Sequence, residues 1–139
     1  MADVVDEILA LWHELPDDEG EARAASARVY ADQVVVNGAE VTLDDLIAHA
    51  RALQSAISDM RFDLLERVEH DDKVVLAFRM HGRHTGALST SIGTISATGE
   101  EVTMQGVDVC TFAGGRIVAV TAVTDELGLL SRLGSVTLR

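Results

Sequence analysis

Two carboxylates in the last third of this chain stand where their chemistry is costly. Asp108 interrupts the strand-like run Val107, Val109, Cys110, Thr111 and Phe112. Asp125 closes the next apolar run, Arg116 to Thr124, just before Leu127, Leu129, Leu130 and Leu133. An acid inside a strand loses its hydration on folding, so it needs a partner or a use. If both acids face one apolar cavity, their like charges push the two pKa values apart, which makes one an acid and the other a base. Alternation permits this, since positions 104, 106, 108, 110 and 112 share a face, as do 117, 119, 121, 123 and 125. Whether those two faces coincide is open at this level. Each acid also has a plainer reading. Asp125 suits the N-cap of a helix beginning Glu126-Leu127-Gly128, and Asp108 suits an ion pair with Arg79 or Arg116.

His84 is the third candidate, in Gly82-Arg83-His84-Thr85-Gly86. An imidazole there can polarise a carbonyl or shuttle a proton to Asp125; it can equally be a hydrogen-bonded loop residue. No metal is expected, because His81 and His84 point to opposite faces of a strand and His13, His49 and His70 supply no HxH or HExxH spacing. Cys110, the single cysteine, reads as a buried small hydrophobe and excludes an internal disulfide. Nucleophilic triads, phosphate loops and dinucleotide fingerprints are missing, since Gly114-Gly115 marks a hairpin turn.

The elements that must position them follow from periodicity. Val4, Val5, Ile8, Leu9, Leu11, Trp12 and Leu15 recur at helical spacing behind Asp3, and Pro16 marks the exit. The alanine-rich segment from Glu19 to Tyr30 predicts a second helix, and Val34 to Val36 a short strand turning at Asn37-Gly38. Thr42-Leu43-Asp44-Asp45 resembles a capping box, and Leu43, Leu46, Ile47, Ala50, Leu53 and Ile57 predict a third helix ending at Ser58-Asp59. Strands are expected over Arg61 to Glu69 and Lys73 to Gly82, with Val74, Leu76, Phe78 and Met80 on one face. Leu88 to Glu100, rich in Ser, Thr and Gly, reads as a loop and a possible lid. Gln105 to Phe112 and Arg116 to Thr124 complete the strands. Helices first and antiparallel strands after give an α+β domain in which a curved sheet wraps the third helix. Trp12, Tyr30, Phe62, Phe78, Met80 and Met104 are core by type, and in a hollow fold core residues also line the cavity.

The 139 residues fit one domain, 1–139, and 47% hydrophobic residues fit a globular chain. A formal charge of −12 argues against nucleic acid and anionic membrane as partners, since both recruit clustered Lys and Arg. Eight of the 23 acids lie between Asp3 and Glu21, where there is no Lys or Arg; a solvated face accounts for them. No run approaches the ~18 apolar residues of a membrane span, and no basic-then-apolar leader opens the chain, so the cytoplasm is expected.

Several stretches together resemble the SnoaL-like polyketide cyclases of the nuclear-transport-factor-2-like superfamily. They are Tyr30 to Gly38, the Gly82 to Gly86 turn, Ala97-Thr98-Gly99, Gly106-Val107-Asp108, and Gly115 to Val118 leading to Asp125-Glu126-Leu127-Gly128-Leu129-Leu130. The resemblance covers roughly residues 4 to 134 in the same order. It implies a cone-shaped α+β barrel: a strongly curved antiparallel sheet wrapped around a long helix, with N-terminal helices closing an internal apolar cavity. It also implies a homodimer through the outer sheet face and cofactor-free intramolecular aldol closure on a small apolar or aromatic metabolite. Asp125 matches the family's catalytic aspartate, with Asp108 or His84 beside it. Asn37, with the aromatic and methionine set above, is carried over as substrate-binding. The chain departs from its relatives at Thr121, where many have tryptophan, and at Asp108, where many have histidine. Asp108 also resembles the protonated aspartate of ketosteroid isomerases, but Asn37 stands near their general base and cannot take a proton. Epoxide hydrolysis by an Asp-Arg-Asp set, here Asp108, Arg79 and Asp125, ranks third. A module that binds the metabolite without transforming it is the alternative from another class.

Overall fold

The computed structural model describes residues 3–136. In chain order these form α1 (Val4–His13), α2 (Glu19–Val29), β1 (Tyr30–Val36), β2 (Ala39–Thr42), α3 (Leu43–Ala56), β3 (Ile57–His70), β4 (Lys73–His84), β5 (Leu88–Thr90), β6 (Gly93–Ile95), β7 (Glu101–Ala113), β8 (Arg116–Thr124) and α4 (Glu126–Arg132).

Each helix begins where a side chain supplies the acceptor that the first backbone N–H groups lack. Asp3 accepts from Val5, Asp18 from Glu21, and Thr42 with Asp45 closes a reciprocal capping box before α3. The acids between Asp3 and Glu21 are partly used in this way, and Asp3 and Glu19 also pair with Arg67 and Arg51.

Six strands form one sheet in the order β2-β1-β8-β7-β4-β3. Neighbours are antiparallel except β1 and β8, which run parallel. The sheet is therefore mixed, and it is not closed into the expected barrel. Strand lengths explain the open seam. Edge strand β2 has only 4 residues and runs straight into α3, so it offers β3, the opposite edge with 14 residues, almost no ladder to join.

Bulges bend the sheet. Two interrupt β3, between Ser58 and Arg61 and between Leu64 and Glu66, and one lies in β8 at Val118, opposite Thr111 and Phe112 of β7. The first needs Gly82 opposite it, where a Cβ would lie 2.2 Å from Ile57 Cγ2. The predicted helix end at Ser58-Asp59 is thus a bulge inside a strand.

Val74, Leu76, Phe78 and Met80 do share the buried face of β4. Two core clusters fill that side. One joins α1, α2 and α3 to β1 and β4 through Ile8, Val29, Ile47, Leu76 and Phe78. The other gathers Ile57, Met60, Met80, Leu88, Val102 and Leu129. The segment expected to be a loop from Leu88 contains a small separate hairpin, β5 with β6. Strands of 3 residues are too short for alternation to show in sequence. Among the described residues, no helix is long and apolar enough to cross a membrane.

Candidate functional site

Asp108 lies on the inner face of β7, directly across from Leu76 on β4 and Ala122 on β8. Its neighbours along the strand on that face are Gly106 and Cys110, so small residues surround the carboxyl on three sides. Beyond them the face opens at Thr124, which pairs with Gly106 and is exposed. Asp108 is consequently half-buried. Burial alone pushes its pKa up to about 6, because a carboxylate removed from water is favoured in its neutral form. The expected ion pairs do not form: Arg79 is on the outer face, donating to Gln105 at 3.0 Å, and Arg116 is exposed at the β7–β8 turn.

Aromatic side chains flank this carboxyl. Gly106 makes room for Phe78, since a Cβ there would lie 2.5 Å from the ring's Cζ. Phe78 meets Phe62 edge to face, with centroids 5.6 Å apart, a favoured aromatic geometry. Trp12 Nε1 donates to the Tyr30 hydroxyl at 3.0 Å. Burial holds the Tyr30 phenol well above its usual range; the Trp12 bond opposes this, while the charges of Cys110 and Asp108 add to it. Cys110 is pushed up to about 12 by burial and by Asp108, an inert thiol as its position in a strand suggested.

The remaining candidates are elsewhere. Asp125 follows β8 with its backbone N–H on the Gln105 carbonyl at 2.8 Å. Its exposed carboxylate accepts from the N–H of Gly128 at 3.0 Å and caps α4. Gly128 admits that carboxylate closely, for a Cβ at 128 would lie 2.3 Å from Asp125 Oδ2. Asp125 thus serves as the helix cap that its sequence position also suggested, while Asp108 lies within the sheet. His84 is wholly buried on the inner face, but it lies eight residues beyond Leu76 on β4, about 26 Å of strand at ~3.3 Å per residue. Asn37 is occupied: its Oδ1 accepts from Ala122 N–H at 2.8 Å and its Nδ2 donates to Ala122 O at 3.2 Å. Trp12, Tyr30, Phe62 and Phe78 are packed together in the first cluster, whereas Met80 and Met104 belong to the second, which Phe62 also touches.

Two recesses among the described residues lie away from these candidates. A recess of about 460 Å³ lies at the ends of α1 and α3, lined by His13, Glu14, Arg51, Gln54, Ile57 and Met60 among others. A smaller one of about 140 Å³ lies by Arg61, His81 and Arg83. None of the candidate residues lines either, and the linings are largely polar. Gly106 and Ala122, which create the space around Asp108, were not singled out from sequence; their signal was small size within strands of valine.

Residues 2–133 match the family described as SnoaL-like polyketide cyclase. The fold is similar to that of TsrD from Streptomyces laurentii, with 21% identity and a TM-score of 0.79 over 96% of this chain and 93% of that one. It is also similar to a SnoaL-like polyketide cyclase from Agrobacterium tumefaciens, with 19% identity and a TM-score of 0.74 over 96% and 100% of the two chains. An NTF2-like protein of unknown function from Exiguobacterium gives 21% identity and a TM-score of 0.64 over 89% and 99%. At these identities the structural likeness is one of fold. No curated protein sequence matches this chain.

Proposed function

We propose, from the premise that the chain belongs to the SnoaL-like polyketide cyclase family, that it is a cofactor-free enzyme acting on a small apolar or aromatic metabolite held against the inner sheet face, with Asp108 moving the proton. The observation that supports this is the state of Asp108: a half-buried carboxyl near aromatic side chains, with a pKa that burial raises to about 6. Such a group is ionised at neutral pH yet more basic than an ordinary carboxylate, which is the compromise a general base needs.

In the proposed reaction, Asp108 takes a proton from carbon alpha to a carbonyl, leaving an enolate. The enolate carbon attacks a second carbonyl of the same molecule, forming the carbon–carbon bond. The resulting alkoxide recovers the proton from the Asp108 carboxylic acid, so the enzyme ends as it began. In this reading Asp125 is a helix cap, and His84 is too distant to act on the same atom.

The competing reading is a binding module. One observation favours it: the Asp125 carboxylate caps α4 through the Gly128 N–H, which is its plainer, structural reading. Deuterium exchange at the alpha carbon of an aromatic β-keto ester, measured in D₂O, separates the two. Under the enzyme reading the wild type accelerates exchange, Asp108→Asn does not, and Asp125→Asn still does. Ligand retention without acceleration by any variant selects the module.

The proposal includes a homodimer and a cytoplasmic setting. Val68, Val107 and Val123, all on the outer face, are 55%, 43% and 68% exposed, and a run of exposed valines on one sheet face suits contact with a second copy.

A further inference from the structure

Asn37 is the single asparagine of this chain, and a glycine follows it. Both residues hold positive φ, 50° and 85°, the backbone of the tight hairpin turn that joins β1 to β2. The side chain reaches across to β8. Its amide meets the Ala122 main chain with both of its groups, so it continues the β1–β8 ladder beyond the Val36–Val120 pair. Ala122 in turn lies across from Asp108. Two strand spacings, about 10 Å, therefore separate the backbone at Asn37 from that of the half-buried acid.

The turn itself is open. Asn37, Gly38 and Ala39 are exposed, and a Cβ on Gly38 would meet nothing within 4 Å, so no side chain shields the Gly38 N–H. β2 is an edge strand of 4 residues, none of them buried. Such a segment opens locally at low free-energy cost, and each opening lets the Asn37 side chain leave Ala122 and swing toward Gly38.

An asparagine in that position is thermolabile because its own backbone can attack it. The Gly38 nitrogen bonds to Asn37 Cγ and closes a succinimide ring. The bond from Cγ to Nδ2 breaks, and Nδ2 leaves as ammonia, taking the proton that the Gly38 nitrogen gives up. Water then opens the ring at either carbonyl, leaving aspartate or isoaspartate. In the aspartate product one oxygen can still accept from the Ala122 N–H. The other brings a negative charge to the Ala122 carbonyl, where a donor stood.

We propose that Asn37–Gly38 is a site of spontaneous modification, and that the carboxylate it creates acts on Asp108 across β8. The chemical half stands by itself; the half that concerns catalysis rests on the role given to Asp108 above. Tyr30 and Cys110, the titrating groups that interact with Asp108, are both held protonated by burial, so neither offsets a charge arriving at position 37.

The test ages the wild type in warm, mildly alkaline buffer, folded and in urea, and maps the peptide that carries residue 37. The chain has no other asparagine and no Asp-Gly pair, so isoaspartate reports this site. It should accumulate in the folded protein, more slowly than in urea; its absence from the folded sample would overturn the proposal. Asn37→Asp and Asn37→Gly then separate the charge from the lost bridge, since both end the donation to the Ala122 carbonyl and glycine keeps the positive φ. In Asn37→Asp, alpha-proton exchange should level off about half a pH unit or more above the wild type, the scale of two charges ~10 Å apart near a protein surface. In Asn37→Gly it should level off where the wild type does. The same midpoint in both variants would overturn the action on Asp108. If the wild type does not accelerate exchange at all, the enzyme reading fails, and the carboxyl carbon NMR signal of Asp108, followed through its titration, makes the same comparison between the variants.

Discussion

Asp108 sits within β7 opposite Ala122, whereas Asp125, three residues beyond Ala122, has left the strand and caps α4. Ala122 is the cross-strand partner of Asp108, so the even-numbered end of β8 faces inward and Val123 faces out. Asp125, bonded through its backbone to Gln105, turns its carboxylate to the Gly128 N–H of α4, and Leu129 of that helix packs with Met80 in the second cluster. In the proposed reaction Asp108 acts alone, and Arg79, which donates to Gln105 on the outer face, is turned away from it.

The raised pKa of Asp108 has a defined effect on stability. A carboxyl with a higher pKa folded than unfolded binds its proton more readily in the native state, so stability falls as pH rises from about 4 through about 6. Asp108→Asn should therefore stabilise the protein by up to about 3 kcal/mol at pH 8 and scarcely at all at pH 3. Urea unfolding of both proteins across this range checks it; parallel curves would refute it.

The same ionisation sets a rate profile. As a base Asp108 works only when deprotonated, so alpha-proton exchange should rise with pH and level off above about 6. A profile that is flat between pH 4 and 8 would remove Asp108 from the chemistry.

For Asp125, replacement by Ala should cost about 1 kcal/mol through the lost cap, and replacement by Asn much less, because an amide oxygen also caps. Thermal melts of the two variants give the comparison. Equal losses would mean that the carboxylate does something beyond capping.

Gly86 tolerates no side chain. A Cβ there would lie 2.2 Å from the Ser55 carbonyl oxygen, a backbone atom that cannot swing aside. Gly86→Ala should destabilise by about 2 kcal/mol or more, with the loss visible in the denaturation midpoint; a change within 0.5 kcal/mol, about the level of an indifferent surface site, would contradict the geometry.

If the outer valines bury against a second copy, Val107→Arg combined with Val123→Arg should convert the protein to a monomer in sedimentation. A wild-type monomer, or a dimer unaffected by these charges, would end that part of the proposal.

Local signals were legible from the sequence because their causes are local. The three N-terminal helices, the Thr42 capping box, the Asn37-Gly38 turn and the inward face of β4 depend on residues within a turn or two of one another, and all stand as spacing predicts. Asp125's competence as a cap was equally readable from Asp-Glu-Leu-Gly. What residue order could not decide was register between strands. One bulge in β8 at Val118 shifts which parity of β8 meets which parity of β7, and a shift by one residue exchanges the two faces of a strand. Registers of this kind put Ala122 opposite Asp108, set His84 far along β4 from Asp108, and brought Asn37 to the backbone of Ala122. The open seam was likewise tertiary, decided by how little ladder β2 offers to the far edge.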